Sequence, residues 1–279
     1  MADANQNTDG NFSFSPYISE LKGELQGTNP QDRLELIEAK LPDLSDSNPN
    51  EPGEGYRNFE LLSEAYSENK LANHLLSSTS DVLHFEYIYE ERKTTQTIVE
   101  GELVDVETLT ARLVDIYWIG NIMLFSGKSE DTSKTRNRLQ SELVGELRIE
   151  KVSFSTEILN EILDNKHDEL LNKKKPEITD IRSLTAKGNE DVSQVSIHGG
   201  KGLHTYKKYL EDTSKITQMI ASFRYLDHSI LASISESTIH IYKIKPTENL
   251  EDEQNLLVGI LFSVAFIRTF SNTKPRAWK

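Results

Sequence analysis

The sequence contains no cysteine among its 279 residues. Disulfide bridges, thiolate zinc sites and cysteine nucleophiles are therefore excluded. An absence of cysteine is typical of intracellular proteins, and residues 1–16 contain neither the basic nor the apolar run of a secretory signal. We therefore expect a cytoplasmic protein.

A long apolar run is missing as well. The longest one, Leu256–Ile267, follows Asp252 and Glu253 and precedes Arg268, whereas a membrane-spanning helix needs about 20 apolar residues. We expect no membrane association. The run instead indicates a helix buried within the protein, with burial against a partner subunit as the alternative.

Recognisable catalytic motifs are also absent. The sequence has no G-x-S-x-G nucleophile turn and no Walker-type phosphate loop. Asp81 with Glu91-Arg92-Lys93 bears a loose likeness to a restriction-nuclease core, but solvent-facing charges explain these residues more simply. We predict no catalytic residue, no metal and no cofactor, and we favour a protein that is not an enzyme.

Acidic residues outnumber basic ones. The chain has 45 Asp and Glu against 31 Lys and Arg, a net charge of −14, and residues 1–80 hold 14 of the acids but only 5 of the bases. A field of this sign repels nucleic acids and anionic membranes from that part of the chain. The simpler interpretation of the charge is solubility.

The first 80 residues predict a tail and an arm. Residues 1–16 are polar and aperiodic, which predicts a disordered tail, and residues 17–80 predict an acidic helical arm. Pro, Gly, Asp and Asn mark residues 43–56 as a linker within that arm. The arm docks on its own domain or on a partner. Its predicted helices are Tyr17–Gln26, Gln31–Leu41 and Arg57–Leu76.

Residues 81–154 change to alternating hydrophobicity, which predicts an antiparallel meander of four strands followed by a helix. Gly120-Asn121 is predicted to form a tight hairpin turn between the last two strands. The predicted strands are Leu83–Tyr89, Thr95–Val104, Thr108–Trp118 and Ile122–Phe125, and the predicted helix is Ser129–Leu143.

Residues 155–279 predict a second α+β half that ends in a long apolar helix, Glu248–Phe270. Its order of strand, short helix, three strands and helix resembles one half of the TATA-binding-protein saddle, in which a sheet backs onto a long helix. The predicted fold class is α+β, with antiparallel meanders backed by helices, and two saddle-like halves are one form of it. A resemblance at the level of the fold implies no function by itself.

A glycine-rich turn is the feature closest to a ligand site. Strand, glycines and helix in succession expose backbone N–H groups to an anion, and a lysine adds positive charge. The alternative is a tight connection that needs the conformational freedom of glycine. A metal shared by the two flanking histidines would lack an obvious third ligand. The candidate binding residues are His198, Gly199, Gly200, Lys201, Gly202 and His204.

Three functions follow from these patterns. The leading hypothesis is a non-catalytic interaction or regulatory protein that contacts a protein partner or forms a homo-oligomer. The second is a nucleic-acid-associated protein that uses a saddle-like sheet, and the third is a phosphate- or nucleotide-binding enzyme or sensor that uses the glycine-rich turn. The candidate nucleic-acid contacts are Lys128, Lys134, Arg136 and Arg138.

Overall fold

A computed structural model describes residues 11–45, 51–65, 81–99, 101–156, 158–159, 175–187, 194–198, 215–245 and 252–270. The chain divides into two compact units. The first unit is Tyr17–Glu150, and the second is Met1–Pro16 with Lys151–Lys279. Both are built from antiparallel strands and α-helices, so the predicted α+β class is confirmed.

The first unit is a sheet with helices packed on one face. Strands β2, β3, β4 and β5 are neighbours in that order, and each pair is antiparallel. Buried aromatic side chains such as Phe85 and Trp118 form its core together with Ile37 and Leu139 from two helices. Its elements are β2 (Glu54–Leu61), β3 (Leu83–Val99), β4 (Glu102–Ile119), β5 (Ile122–Ser126), β6 (Leu147–Lys151), a 3-10 turn (Gly23–Leu25), α1 (Pro30–Lys40), α2 (Leu62–Ala65) and α3 (Ser129–Glu142).

The second unit is a sheet covered by one long helix. Residues Phe12–Phe14 of β1 (Phe12–Leu21) pair with β11, and β10, β9, β7 and β8 follow in order. Helix α4 (Asp252–Phe270) packs on this sheet, where Phe262 and Phe266 contact Phe223. The remaining strands are β7 (Glu177–Lys187), β8 (Gln194–His198), β9 (Lys215–Tyr225), β10 (His228–Ser235) and β11 (Thr238–Lys245).

The predicted helical arm over residues 17–80 is wrong at Tyr17–Leu21 and Arg57–Leu61, which lie in strands, whereas α1 and the short α2 are helical. Tyr17–Leu21 belongs to β1, because the Ser19 N–H donates to the Asn121 carbonyl and the Trp118 Nε1–H donates to the Ser19 hydroxyl. These partners lie about a hundred residues away in sequence, so no local pattern reveals them. Helix α1 does form, and Asn29 caps it through a bond from the Asp32 N–H. Residues 66–76 of the predicted third helix lie outside the described residues.

The predicted linker over residues 43–56 and the predicted tail over residues 1–16 also contain strand residues. Glu54–Leu61 forms β2, in which Tyr56 pairs with Tyr87. A Cβ on Gly55 would collide with the Asp43 backbone, so this glycine allows a close approach and does not mark a flexible connection. The tail residues 12–16 begin β1, and residues 1–10 lie outside the described part.

The meander over residues 81–126 has three strands where four were predicted. Strand β3 continues from Leu83 to Val99 without a break, and β4 returns from Glu102 to Ile119 in an unbroken register. The predicted hairpin at Gly120-Asn121 is confirmed, since Ile119 pairs with Ile122. The charged run Glu91-Arg92-Lys93, which separated two strands in the sequence-based prediction, lies inside β3.

Helix α4 is buried within the protein, as the core-helix interpretation predicts. Residues 257–264 are all buried, and a Cβ on Gly259 would touch the side chains of Ile241 and Phe12. Within the described residues, no helix is both long enough and apolar enough to cross a lipid bilayer.

Candidate interaction surface

The β3–β4 hairpin extends beyond the sheet to which it belongs. Strand β2 pairs with β3 only as far as Tyr89, and β5 pairs with β4 only from Asp115 onward. Residues 92–99 and 102–109, which we call the distal ribbon, therefore have no neighbouring strand among the described residues. At about 3.3 Å per residue, eight residues reach about 26 Å.

Apolar side chains are concentrated on the distal ribbon. Soluble proteins commonly expose single apolar residues, but a contiguous group marks a contact surface. Of the ten large apolar side chains that are exposed in the described residues, six lie on this ribbon, and Ile98 and Leu103 at its end are 72% and 70% exposed. The remaining four of these six ribbon residues are Val99, Val104, Val106 and Leu109.

The two faces of the distal ribbon differ in composition. Side chains alternate between the two faces along each strand. The register places Thr97 beside Val104 on one face and Ile98 beside Leu103 on the other. The face that we call the Val/Thr face carries a lysine at one end, a glutamate at the other and only β-branched residues between them. Its members are Lys93, Thr95, Thr97, Val99, Glu102, Val104, Val106 and Thr108.

The turn at the end of the ribbon needs a glycine. Gly101 has φ +87, in the region that residues with a side chain rarely adopt. It precedes Glu102, which pairs with Val99 across the turn. The hairpin is paired as far as the residues on either side of this turn.

A group of titratable side chains lies at the foot of the hairpin, where β2, β3 and β4 meet. His84, Glu86 and Asp115 bring one potential ligand atom each to within 4.8 Å of one another. The His84 ring bonds through Nδ1 to Glu60 at 2.8 Å and through Nε2 to Asp115 at 3.4 Å. Burial opposes protonation, but the hydrogen bonds to Asp115 and Glu60 outweigh it and raise the pKa of His84. Among the described residues, His84, Glu86 and Asp115 are the group whose ligand atoms lie close enough together to hold a cation.

Sequence patterns alone do not single out this group. Its members come from three strands, and only the register places Glu86 opposite Asp115 and His84 opposite both Glu60 and Tyr117. The one signal in the sequence was the alternation of β3, which puts His84 and Glu86 on the same face.

The basic residues predicted to contact nucleic acid lie on or beside α3. The Lys134 ammonium sits 3.5 Å from the centre of the Tyr89 ring, and Arg138 pairs with Glu54 at 3.0 Å and Glu142 at 2.8 Å. Lys128 is exposed, and Arg136 is half-buried. Two of the four cations therefore already have partners in the first unit.

The glycine-rich turn lies outside the described residues, except for its first member. His198 ends β8, is exposed and pairs with Ser183 of β7. Ligand binding by Gly199, Gly200, Lys201, Gly202 and His204 stays a prediction.

A shallow basic cavity of about 210 Å³ lies on the second unit's sheet. The register places Lys243 beside Leu231 and Lys245 beside Ser229. Arg182 has a long contact of 3.8 Å with Asp180. The lining residues are Arg182, Ser222, Ser229, Leu231, Lys243 and Lys245.

No protein-family model matches the sequence, and no curated protein matches it. The function of this chain therefore has to be inferred from its own residues.

Proposed function

We propose that this chain is a non-catalytic interaction protein and that the distal ribbon makes its contacts. The observation that supports the proposal is the group of exposed apolar side chains on a ribbon without flanking strands, of which Val99, Val104 and Val106 lie on the Val/Thr face. A two-stranded hairpin without further packing is marginally stable in water. A partner that covers the apolar side chains would stabilise the ribbon in its paired form.

The partner that we propose is a second copy of the chain, bound on the Val/Thr face. Lys93 and Glu102 lie at opposite ends of this face, about 20 Å apart along the strand. If two ribbons pack antiparallel about a two-fold axis, Lys93 of each copy lies beside the partner's Glu102. The valines and threonines between them then form reciprocal contacts, each of which occurs twice, as an isologous interface requires.

The size of this face sets the expected strength of the dimer. A ribbon about 26 Å long and about 10 Å wide offers a few hundred square ångströms on one face, whereas a stable interface buries about 800 Å² on each partner. We therefore expect a weak dimer whose population depends on protein concentration.

Sedimentation velocity over a range of concentrations tests the proposal. We expect the unmodified chain to shift from monomer to dimer as its concentration rises, and Val104→Asp to stay monomeric because it places a charge in the middle of the Val/Thr face. Val144→Asp is the matched control, since Val144 is 80% exposed but lies outside the ribbon. A monomer at every concentration, or equal loss of dimer in both variants, would contradict self-association through the ribbon.

Nucleic-acid binding is a second candidate function, and the basic cavity of the second unit favours it. Arg182, Lys243 and Lys245 place three cations around one concavity, next to the hydroxyl groups of Ser222 and Ser229. The acids of the distal ribbon, by contrast, disfavour contact with phosphates there. The saddle-like arrangement of two halves stays a prediction.

Salt dependence distinguishes this second function from the first. Binding of a labelled oligonucleotide through these cations should weaken steeply as salt rises, because each neutralised phosphate releases counterions. Lys243→Glu should abolish the binding, and Lys187→Glu, in the same sheet but outside the cavity, should not. Absence of binding at low salt would exclude this function.

A further inference from the structure

The foot of the β3–β4 hairpin carries a histidine in a setting typical of metal ligands. One ring nitrogen of His84, Nδ1, lies 2.8 Å from Glu60, and the other, Nε2, lies 3.4 Å from Asp115. The ring stacks on Tyr117 at 4.8 Å between centres and 12° between planes. Glu60 and Tyr117 thus fix the plane and the orientation of the imidazole.

The separation of Nε2 and Asp115 is long for a charge-assisted hydrogen bond and also suits a shared metal. A charge-assisted N–H···O bond is about 2.7–2.9 Å long. Two ligand atoms that lie about 2.0–2.1 Å from a tetrahedral zinc ion are about 3.4 Å apart. The observed 3.4 Å agrees with the second geometry, and Glu86 completes a group whose ligand atoms lie within 4.8 Å of one another.

The neighbouring backbone is shaped to hold Glu86. A bulge in β2 between Arg57 and Glu60 includes Asn58, whose φ of 56 is left-handed. The Asn58 amide and the Arg57 guanidinium donate to the two oxygens of Glu86 at 2.9 and 2.8 Å. Each carboxylate oxygen accepts two bonds, so a lone pair on each remains for a cation. Bulges are frequent where a strand has to redirect side chains at a site.

We propose that His84, Glu86 and Asp115 bind a divalent transition-metal ion of the zinc type. Nε2 of His84 supplies the nitrogen ligand, each carboxylate supplies one oxygen, and Nδ1–H donates to Glu60. A metal-binding histidine usually gives its second N–H to a carboxylate, which fixes its tautomer. Imidazole together with carboxylates suits zinc, whereas magnesium and calcium prefer oxygen ligands alone.

The ligands are half-buried and stay open to solvent. The side chains of His84, Glu86 and Asp115 are 12%, 13% and 29% exposed. Three carboxylates, including Glu60, surround the imidazole, and Arg57 is the one cation that contacts them in the described structure. A dication therefore enters a region of negative charge, while low exposure strengthens the attraction.

Isothermal titration of the full chain with zinc, after treatment with a chelator, tests the site. We expect binding of one zinc ion at micromolar concentrations and no binding of magnesium. Asp115→Asn and His84→Gln should each weaken zinc binding at least tenfold. Glu60→Ala, which keeps all three ligands but removes the acceptor of Nδ1–H, should weaken it by about 10–100-fold. His240→Gln is the matched control and should leave the affinity unchanged.

Circular dichroism establishes that each variant is folded, and Asp115→Asn, which keeps the shape of the side chain, carries the test if His84→Gln does not fold. Zinc binding should also release a proton at neutral pH, which titration in buffers of different ionisation enthalpy measures. Absence of saturable zinc binding, or equal affinity in the unmodified chain and Asp115→Asn, would overturn the proposal. Its failure leaves self-association through the distal ribbon unaffected, since no residue is shared.

Discussion

The proximal and distal parts of the β3–β4 hairpin share one register but not one environment. In the proximal part, residues 83–91 and 110–119, alternate side chains such as Phe85 and Trp118 are fully buried. In the distal ribbon all residues are exposed, although their pairing continues to Val99 and Glu102. Core packing therefore explains the proximal pairing but not the distal one. The apolar side chains at the end of the hairpin need a different explanation, and contact with a partner is the one that we propose.

Truncating one large apolar side chain in each part of the hairpin should give the largest difference in the free energy of unfolding. Phe85 is 0% exposed and stacks on Phe59 at 5.4 Å. We expect Phe85→Ala to lower the free energy of unfolding by about 3–5 kcal/mol. Ile98→Ala, at a 72% exposed position, should change it by less than about 0.5 kcal/mol.

Urea unfolding at low protein concentration, followed by circular dichroism, measures both values. Equal losses in the two variants would mean that Ile98 is covered within the monomer. The comparison between a packed and an unpacked part of the hairpin would then fail.

The comparison also explains which parts of this fold the sequence predicts. Elements whose pattern is local were predicted correctly, such as α3 with its acidic first turn and the hairpin at Gly120-Asn121. The prediction ended the first strand at Tyr89 and carried the second, Thr95–Val104, through the turn at Gly101. A strand that is exposed on both faces needs no alternation of hydrophobicity, so its sequence lacks the main signal for a strand.

Tertiary pairing explains the other failures. Tyr17–Leu21 has no local preference that excludes a helix, and its strand conformation depends on Asn121 and Trp118. The candidate metal ligands are spread over β3 and β4, with thirty residues between His84 and Asp115 in sequence, so their proximity follows only from the register. A search for ligand spacings along the chain cannot find a site of this kind.

A change at the turn should loosen the distal ribbon without affecting the proximal part. Gly101 has φ +87, and a residue with a side chain costs about 1–2 kcal/mol in such a left-handed conformation. We expect Gly101→Val to reduce hydrogen-exchange protection of the distal amides by about 5–30-fold. Gly101→Asn should have a smaller effect, because asparagine tolerates this conformation.

Exchange measured residue by residue distinguishes the two parts. Amides of the proximal part should keep their protection in both variants, since the packed core holds them. If Gly101→Val reduced protection equally along β3 from Leu83 to Val99, the hairpin would open as one cooperative unit.

The protonation of His84 should make the stability of the proximal part depend on pH. Its pKa in the folded chain is raised above the ordinary value near 6.5, since its bonds to Asp115 and Glu60 outweigh the effect of burial. Glu86 is the other acid close to the ring, and it pairs with Arg57. The stabilisation from His84 is therefore fully present below about pH 6.5 and is lost as the pH rises through the folded pKa.

The difference in unfolding free energy between the unmodified chain and His84→Gln measures this effect, with a chelator present to remove metal ions. We expect the difference to be largest at about pH 6 and to decrease towards pH 9. A difference that increased with pH would show that the ring is neutral when folded. The distal ribbon contains no histidine. Its amide hydrogen-exchange rates, once corrected for the pH dependence of exchange in an unstructured chain, should therefore not follow the titration of His84.

The smallest expected effect tests how two distal ribbons meet. In the antiparallel dimer, Lys93 of each copy lies beside the partner's Glu102, and exposed ion pairs of this kind contribute about 0.2–1 kcal/mol each. Lys93→Glu and Glu102→Lys should each weaken the dimer by about 2–30-fold, since each change removes two attractive pairs. Combining both changes should restore the affinity, because the charges are exchanged and remain complementary.

Sedimentation equilibrium at low salt measures these affinities, and high salt should reduce the differences between the variants. Within one chain Lys93 and Glu102 are about 20 Å apart along the ribbon, so the exchange has little effect on the monomer. Recovery in the double variant therefore requires that the two side chains meet across the interface. A double variant as weak as either single one would exclude the antiparallel arrangement, even if Val104→Asp had shown that the ribbon mediates dimerisation.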